Sequence, residues 1–285
     1  MGEPVIDSVT GLFKKLELHL PDSEVGLVAD DLLLRYSNSG SIDHHFELKA
    51  GHLEVAGGSL TCLFGTNGSG KTTLLRTLAG FHAPANGNIR WCGVGPSPKM
   101  GVDAVLVAEK SPWPHMTIMQ NVSLPLRRVR GWGTEKAGEA AAALLDYLGL
   151  ASMADRYPHQ LSAGQQQRAV LARGLVLGTP ALLLDEIVSA QSEVWAERIA
   201  RLLNVLVLDY GRMVFMVCHD PDWVELHANQ VVQLASIDGM GDECEMLSEQ
   251  VFTISYSGLV EGWLEGRKDH GKRSRTADDA RATLD

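Results

Sequence analysis

The chain has 285 residues, of which 45% are hydrophobic and 21% charged, with a formal net charge of -10. That apolar content can bury a core in one large α/β domain or two small lobes, and it excludes a wholly disordered chain. The acidic balance argues against a general affinity for nucleic acid, whose phosphates demand a clustered basic surface. Cys62, Cys92, Cys218 and Cys244 lie far apart without CxxC spacing, which fits reduced cytosolic thiols better than a disulfide framework or a zinc site. The opening MGEPVIDSVT has no apolar signal region, and Arg, Asp, Gly or Pro breaks each later apolar run short of membrane-spanning length. Any membrane crossing is therefore expected from another chain.

Residues 1–28 read as an N-terminal extension: Phe13, Leu16, Leu18 and Leu20 are apolar, but Pro21 and nearby acids interrupt a sustained period. Such a segment either docks as an arm on its own chain or contacts a partner. From Asp30 to Gly65, short apolar runs (LLLRY, FELKAGHLEV, SLTCLF) alternate with turn residues, as in the strands of a mixed sheet. A helix is predicted over Lys71–Ala79, with Leu74, Leu75 and Leu78 on one side and Gly80 as its terminating cap. Trp113, between prolines, reads as a surface or partner-facing residue, and Arg127-Arg128-Val129-Arg130 as a solvated face. A second helix is predicted over Glu135–Leu148, with Thr134 as N-cap and Gly149 just beyond. The strands ALLLD (181–185) and MVFMVC (213–218) flank a helical run over Glu193–Leu208, a βαβ rhythm that implies a largely parallel sheet. From Gly266 to the end almost nothing is apolar, so residues 266–285 are predicted to be a disordered tail.

Four stretches carry chemistry. Gly65-Thr66-Asn67-Gly68-Ser69-Gly70-Lys71-Thr72 matches G-x-x-x-x-G-K-[ST] at every position, with a strand before it and a helix after it. Glycines let successive N–H groups turn inward to phosphate oxygens, the helix start adds positive potential, and Lys71 reaches the β and γ phosphates. The Thr72 hydroxyl is a candidate magnesium ligand, with Thr73 beside it. Asp185, at the end of a buried strand, is the candidate second arm for Mg²⁺, and Glu186 the candidate group to orient or deprotonate the attacking water. Leu161-Ser162-Ala163-Gly164-Gln165 opens a helix, with Ser162 and Gln165 at capping-box spacing. His219 ends an apolar strand and precedes Asp220.

In this order the four motifs closely resemble those of the ATP-binding cassette (ABC) ATPases, over residues 29–265. The resemblance implies a P-loop NTPase (RecA-like) core with a mixed sheet, plus an α-helical subdomain at about 109–178. It also implies ATP and Mg²⁺ as cofactors and a second ABC ATPase subunit, identical or divergent, closing head to tail. The Lys71 cradle of one copy would then face Ser162 and Gly164 of the other, with Ala163 and Gln165 alongside. Transmembrane permease subunits at the inner face of the cell membrane would receive the stroke, and no nucleic-acid partner is expected. Tyr36 resembles the aromatic on which adenine stacks, with a core tyrosine as the alternative.

Two departures from the family pattern bear on turnover. Glu109 or Ala108 stands where a glutamine normally enters the helical lobe, and Glu109 would be a magnesium ligand. Ile187-Val188-Ser189-Ala190-Gln191-Ser192 replaces the usual Pro-Thr-Ser-Ala-Leu-Asp, so the acid that normally spans the dimer interface is absent. Weak or gated ATPase activity is therefore expected. The text from His115 to Arg168 resembles importer subunits, especially those for polar amino acids. The alternatives are a regulatory cassette that binds ATP with little turnover and a soluble ABC protein acting on nucleic acid or ribosomes.

Overall fold

The computed structural model describes residues 5–18, 26–37, 45–65, 68–92, 101–108, 111–236 and 243–246. Among these, nine strands form one sheet in the order β4-β1-β2-β9-β8-β3-β7-β6-β5. β1 (Gly26–Ser37), β2 (His45–Val55) and β4 (Asn86–Cys92) make an antiparallel wing. β3 (Leu60–Gly65), β5 (Ala104–Val107), β6 (Ala181–Asp185), β7 (Met213–Val217) and β8 (Gln230–Ser236) run parallel through the centre. β9 (Glu243–Met246) joins β2 to β8.

The central strands read as unbroken apolar runs because helices cover both of their faces. Leu63, Leu183, Phe215 and Val217 point into one core with Leu74, Leu75 and Leu78 of α2 (Lys71–Leu78). The alternate residues Cys62, Leu182, Leu184, Val214 and Met216 enter the other core, which holds Ile199, Leu202, Leu203 and Leu206 of α6 (Glu193–Leu208). The strand period of two thus divides each strand between two cores.

The helical lobe lies beside the β5 edge. It consists of α3 (Ile118–Arg128), α4 (Thr134–Tyr147) and α5 (Ala163–Leu175), followed in the chain by β6, α6, β7 and α7 (Pro221–His227). The N-cap of α4 is Gly133, so Thr134 is the first helical residue rather than the cap. Gly80 and Gly149, at φ 78° and 67°, terminate their helices in the left-handed conformation as expected.

The N-terminal extension contains a helix that the sequence reading missed. Val9, Leu12 and Phe13 of α1 (Val5–Lys15), with Leu16 just past its end, recur at helical spacing and are all buried. They dock on the same chain: the Phe13 ring meets Tyr210 edge-on at 5.2 Å, and Lys136 pairs with Glu17 at 2.6 Å. Arg130 donates from Nη1 to the Leu16 carbonyl at 2.6 Å, so this arginine is not part of a merely solvated face. β1 already begins at Gly26, inside the stretch assigned to the extension. The tail predicted over 266–285 lies outside the described residues.

Candidate functional site

Buried β3 delivers Gly65 so close to β8 that a Cβ would sit 2.7 Å from the Leu234 carbonyl oxygen, which restricts the position to glycine. Gly68 and Gly70 have φ of 84° and 90°, a left-handed turn that reverses the chain into α2. Lys71 is buried at the first position of α2, and its Nζ donates to Gly65 O at 3.0 Å and Ser69 Oγ at 3.5 Å. The ammonium is thereby folded back over the turn. Of helices α2 to α7, only α2 has neither a side-chain cap nor an acid in its first turn. Its leading N–H groups and positive dipole end are left for an external anion, as a phosphate site requires.

The parallel register brings the end of β6 next to this turn. Thr72 Oγ1 donates to Asp185 Oδ2 at 2.8 Å, while Asp185 Oδ1 is buried without a hydrogen-bond partner. Burial raises the Asp185 carboxyl above its ordinary value; the Thr72 hydrogen bond opposes this, Glu186 adds to it, and Arg76 and Lys71 oppose it. A hydroxyl, a carboxylate and one unsatisfied carboxylate oxygen form a hard oxygen set. That set suits Mg²⁺, which takes one or two protein oxygens and fills its remaining positions with water and phosphate.

Glu186 has φ 53°, in the left-handed region that non-glycine residues rarely occupy. Its carbonyl accepts from Gln167 Nε2 at 2.8 Å and Ser189 Oγ at 2.9 Å. Its carboxylate Oε1 lies 2.9 Å from His219 Nε2, just past β7. Asp220 then caps α7, accepting from the N–H groups of Asp222 and Trp223. Cys62 and Cys218 are free buried thiols beneath the site, and burial pushes Cys218 up to about 11.

At α5 the expected capping box is formed: Ser162 Oγ accepts from Gln165 N at 3.3 Å, and Gln165 Oε1 from Ser162 N at 2.9 Å. Ser162 and Ala163 are exposed. A Cβ on Gly164 would lie 2.8 Å from Ala190 O, so this glycine is required by the chain's own loop after Glu186. The N-terminal end of α5 therefore meets the 190–191 segment of its own chain.

The sequence reading missed Gln167, Gln191 and Asn121. Asn121 is wholly buried; it accepts from Trp113 N and donates to the carbonyls of Trp113, Met116 and Thr117, which fixes the loop leading into α3. Trp113 is half-buried with the Arg173 guanidinium 4.4 Å over its ring, so it is a packed residue rather than a projecting one. Thr73 is half-buried in the first turn of α2. Tyr36 lies in β1 by its backbone, while its side chain, together with Thr66, Asn67 and Glu109, lies outside the described residues.

A family model for the ABC transporter matches residues 48–189. The thiamine import ATP-binding protein ThiQ of Cereibacter sphaeroides is 34% identical over 212 residues, which cover 72% of this chain and 87% of that protein. The chain belongs to the ABC transporter ATP-binding family. As a member it is an ATPase. The sulfate/thiosulfate import ATP-binding protein CysA 2 of Chromobacterium violaceum is 32% identical over 278 residues, covering 94% of this chain and 70% of that one. A bacterial ABC transporter cassette solved as a dimer has the same fold, with TM-score 0.65 at 23% identity over 78% of this chain and 98% of that one. The two relatives are named for thiamine and for sulfate or thiosulfate, and so give no support to the polar amino-acid branch expected from residues 115–168.

Proposed function

We propose that the chain is the ATP-hydrolysing subunit of an importer for a small polar or charged solute. It docks on transmembrane permease subunits at the inner face of the membrane and pairs with a second ATPase subunit. Among the described residues no helix is long and apolar enough to cross a membrane, which fits a peripheral role. The relatives' import names support the direction, and their different cargoes fit a solute choice made by the partner subunits.

The observation that carries the catalytic reading is the Thr72–Asp185 bond with its unsatisfied Asp185 oxygen, set beside an uncapped helix start. Lys71 and the α2 amides would hold the phosphates, and Thr72 and Asp185 would hold magnesium. When bound, magnesium supplies positive charge to the phosphate oxygens as negative charge redistributes. Glu186 accepts a proton from, or orients, the attacking water, and His219 Nε2–H holds its Oε1 in place. Ser162, exposed, and Gly164, half-buried, at the start of α5 would complete the partner's site.

The Glu186–His219 contact favours turnover over a regulatory cassette that binds ATP without hydrolysing it, since nucleotide capture alone does not use it. The assignment is tested by phosphate release from the assembled complex. Glu186→Gln is expected to cut the rate by about 100-fold or more while leaving nucleotide capture intact. An unchanged rate would remove Glu186 from the reaction.

A further inference from the structure

Gln191 stands where the family pattern leads one to expect leucine, and its amide is fully used. Its Oε1 accepts from Arg168 Nη1 at 2.8 Å, and its Nε2 donates to Gln167 Oε1 at 2.9 Å and to Gly164 O at 3.1 Å. Gln167 passes the sequence on, donating from Nε2 to the Glu186 carbonyl at 2.8 Å.

The chemistry of the first member fixes the direction of this chain. A guanidinium has donors and no acceptor, so Gln191 must turn its oxygen to Arg168 and its nitrogen to Gln167. Gln167 must then turn its oxygen to Gln191, which leaves its nitrogen for Glu186. Arg168 is itself anchored: its Nε donates to Leu148 O at 3.0 Å, and its guanidinium lies 4.1 Å over the Trp195 ring. At the far end Glu186 is held at φ 53°, a strained conformation for a non-glycine residue that persists only where its surroundings enforce it. Ser189 adds its Oγ and N–H to the same carbonyl, at 2.9 and 3.3 Å.

We propose that Gln191 is a positioning residue. The one-way chain Arg168 to Gln191 to Gln167 holds the Glu186 backbone in its left-handed turn, and the Gln191 bond to Gly164 O ties that turn to the exposed start of α5. A shift of Ser162 and Gly164, on meeting another copy's nucleotide, is thereby passed to the carboxylate at His219 in the same chain. The inference rests on the reading above that Glu186 acts on the attacking water.

Gln191→Glu tests the direction without emptying the position. The carboxylate still accepts from Arg168 but cannot donate to Gln167 or Gly164, so the chain breaks at its second link while the fold keeps an ion pair. In the full-length protein assembled with its membrane partners, kcat is expected to fall about tenfold or more, with KM for magnesium ATP moving less than about twofold. Gln167→Ala should do the same, and the double variant should lose no more than the worse single one. Hydrogen exchange on the nucleotide-free chain gives a readout independent of turnover. The Ser189 amide, bonded to Glu186 O, is expected to exchange at least about fivefold faster in Gln191→Glu. Wild-type kcat together with wild-type Ser189 exchange in Gln191→Glu would overturn the proposal. If Glu186→Gln leaves turnover unchanged, the role given to Glu186 fails and the link to catalysis fails with it, whereas faster Ser189 exchange would still establish the Gln191 clasp.

Discussion

The starts of α2 and α5 are both helix N-termini to which the proposed function gives a part in handling nucleotide, yet they are finished in opposite ways. α5 closes on itself: Ser162 and Gln165 satisfy each other's backbone donors, and a glycine lets the loop after Glu186 press against the helix. α2 is left open, with a left-handed glycine as N-cap, no acid in its first turn, and a buried lysine folded over the loop. An open helix end is a cost in a protein standing alone and an asset once a polyanion arrives. The difference fits the proposal that α2 is the end that receives the ligand and α5 a rigid piece presented to the second subunit.

Closing the open end should break the contrast most strongly. Thr73→Asp puts a carboxylate into the first turn of α2, where it favours the helix dipole but repels phosphate; nucleotide affinity is expected to fall about 100-fold. Titration calorimetry would measure the loss, and unchanged affinity would show that the anion site is elsewhere. Opening the closed end is a smaller change. Ser162→Ala removes the α5 cap and should lower stability to urea by about 1 kcal/mol without affecting nucleotide capture by the chain's own cradle.

The smallest effect concerns Asp185, whose folded-state carboxyl is raised above its ordinary value mainly by burial. A carboxyl that binds its proton more tightly when folded makes the nucleotide-free chain lose stability as pH rises through that raised value. Asp185→Asn should therefore be more stable than the parent at neutral pH, by about 1 kcal/mol or less, because it removes the buried ionised form. The gain should vanish as pH falls below the ordinary carboxylate range, and melting curves across pH would show it.

The open end was legible in the sequence because its instructions are contiguous: glycines, lysine and hydroxyl follow one another, and the backbone supplies the rest. The cap at Ser162, the strand ending at Asp185 and the helix over Glu193–Leu208 are local patterns of the same kind, and the structure has them. What was missed depends on contacts between distant segments. α1 looked irregular because Pro21 and the nearby acids interrupt its period, while the burial of Val9, Leu12, Phe13 and Leu16 arises against distant segments, α4, α6 and Tyr210. Gln191 looked like a defect because the family pattern has no amide there; only the fold shows Arg168, Gln167 and Gly164 converging on it. The displaced cap at Gly133 is the ordinary uncertainty of one residue at a helix boundary.

The proposed function depends on a phosphate cradle at residues 65–73 with Asp185 as its metal arm. Equilibrium titration of the purified chain with a fluorescent ATP analogue, with and without magnesium, tests this most directly when repeated on Lys71→Ala. Capture that strengthens with magnesium in the parent and weakens about 100-fold or more in Lys71→Ala is the expected result. Equal capture by the two proteins, or capture indifferent to magnesium, would contradict it.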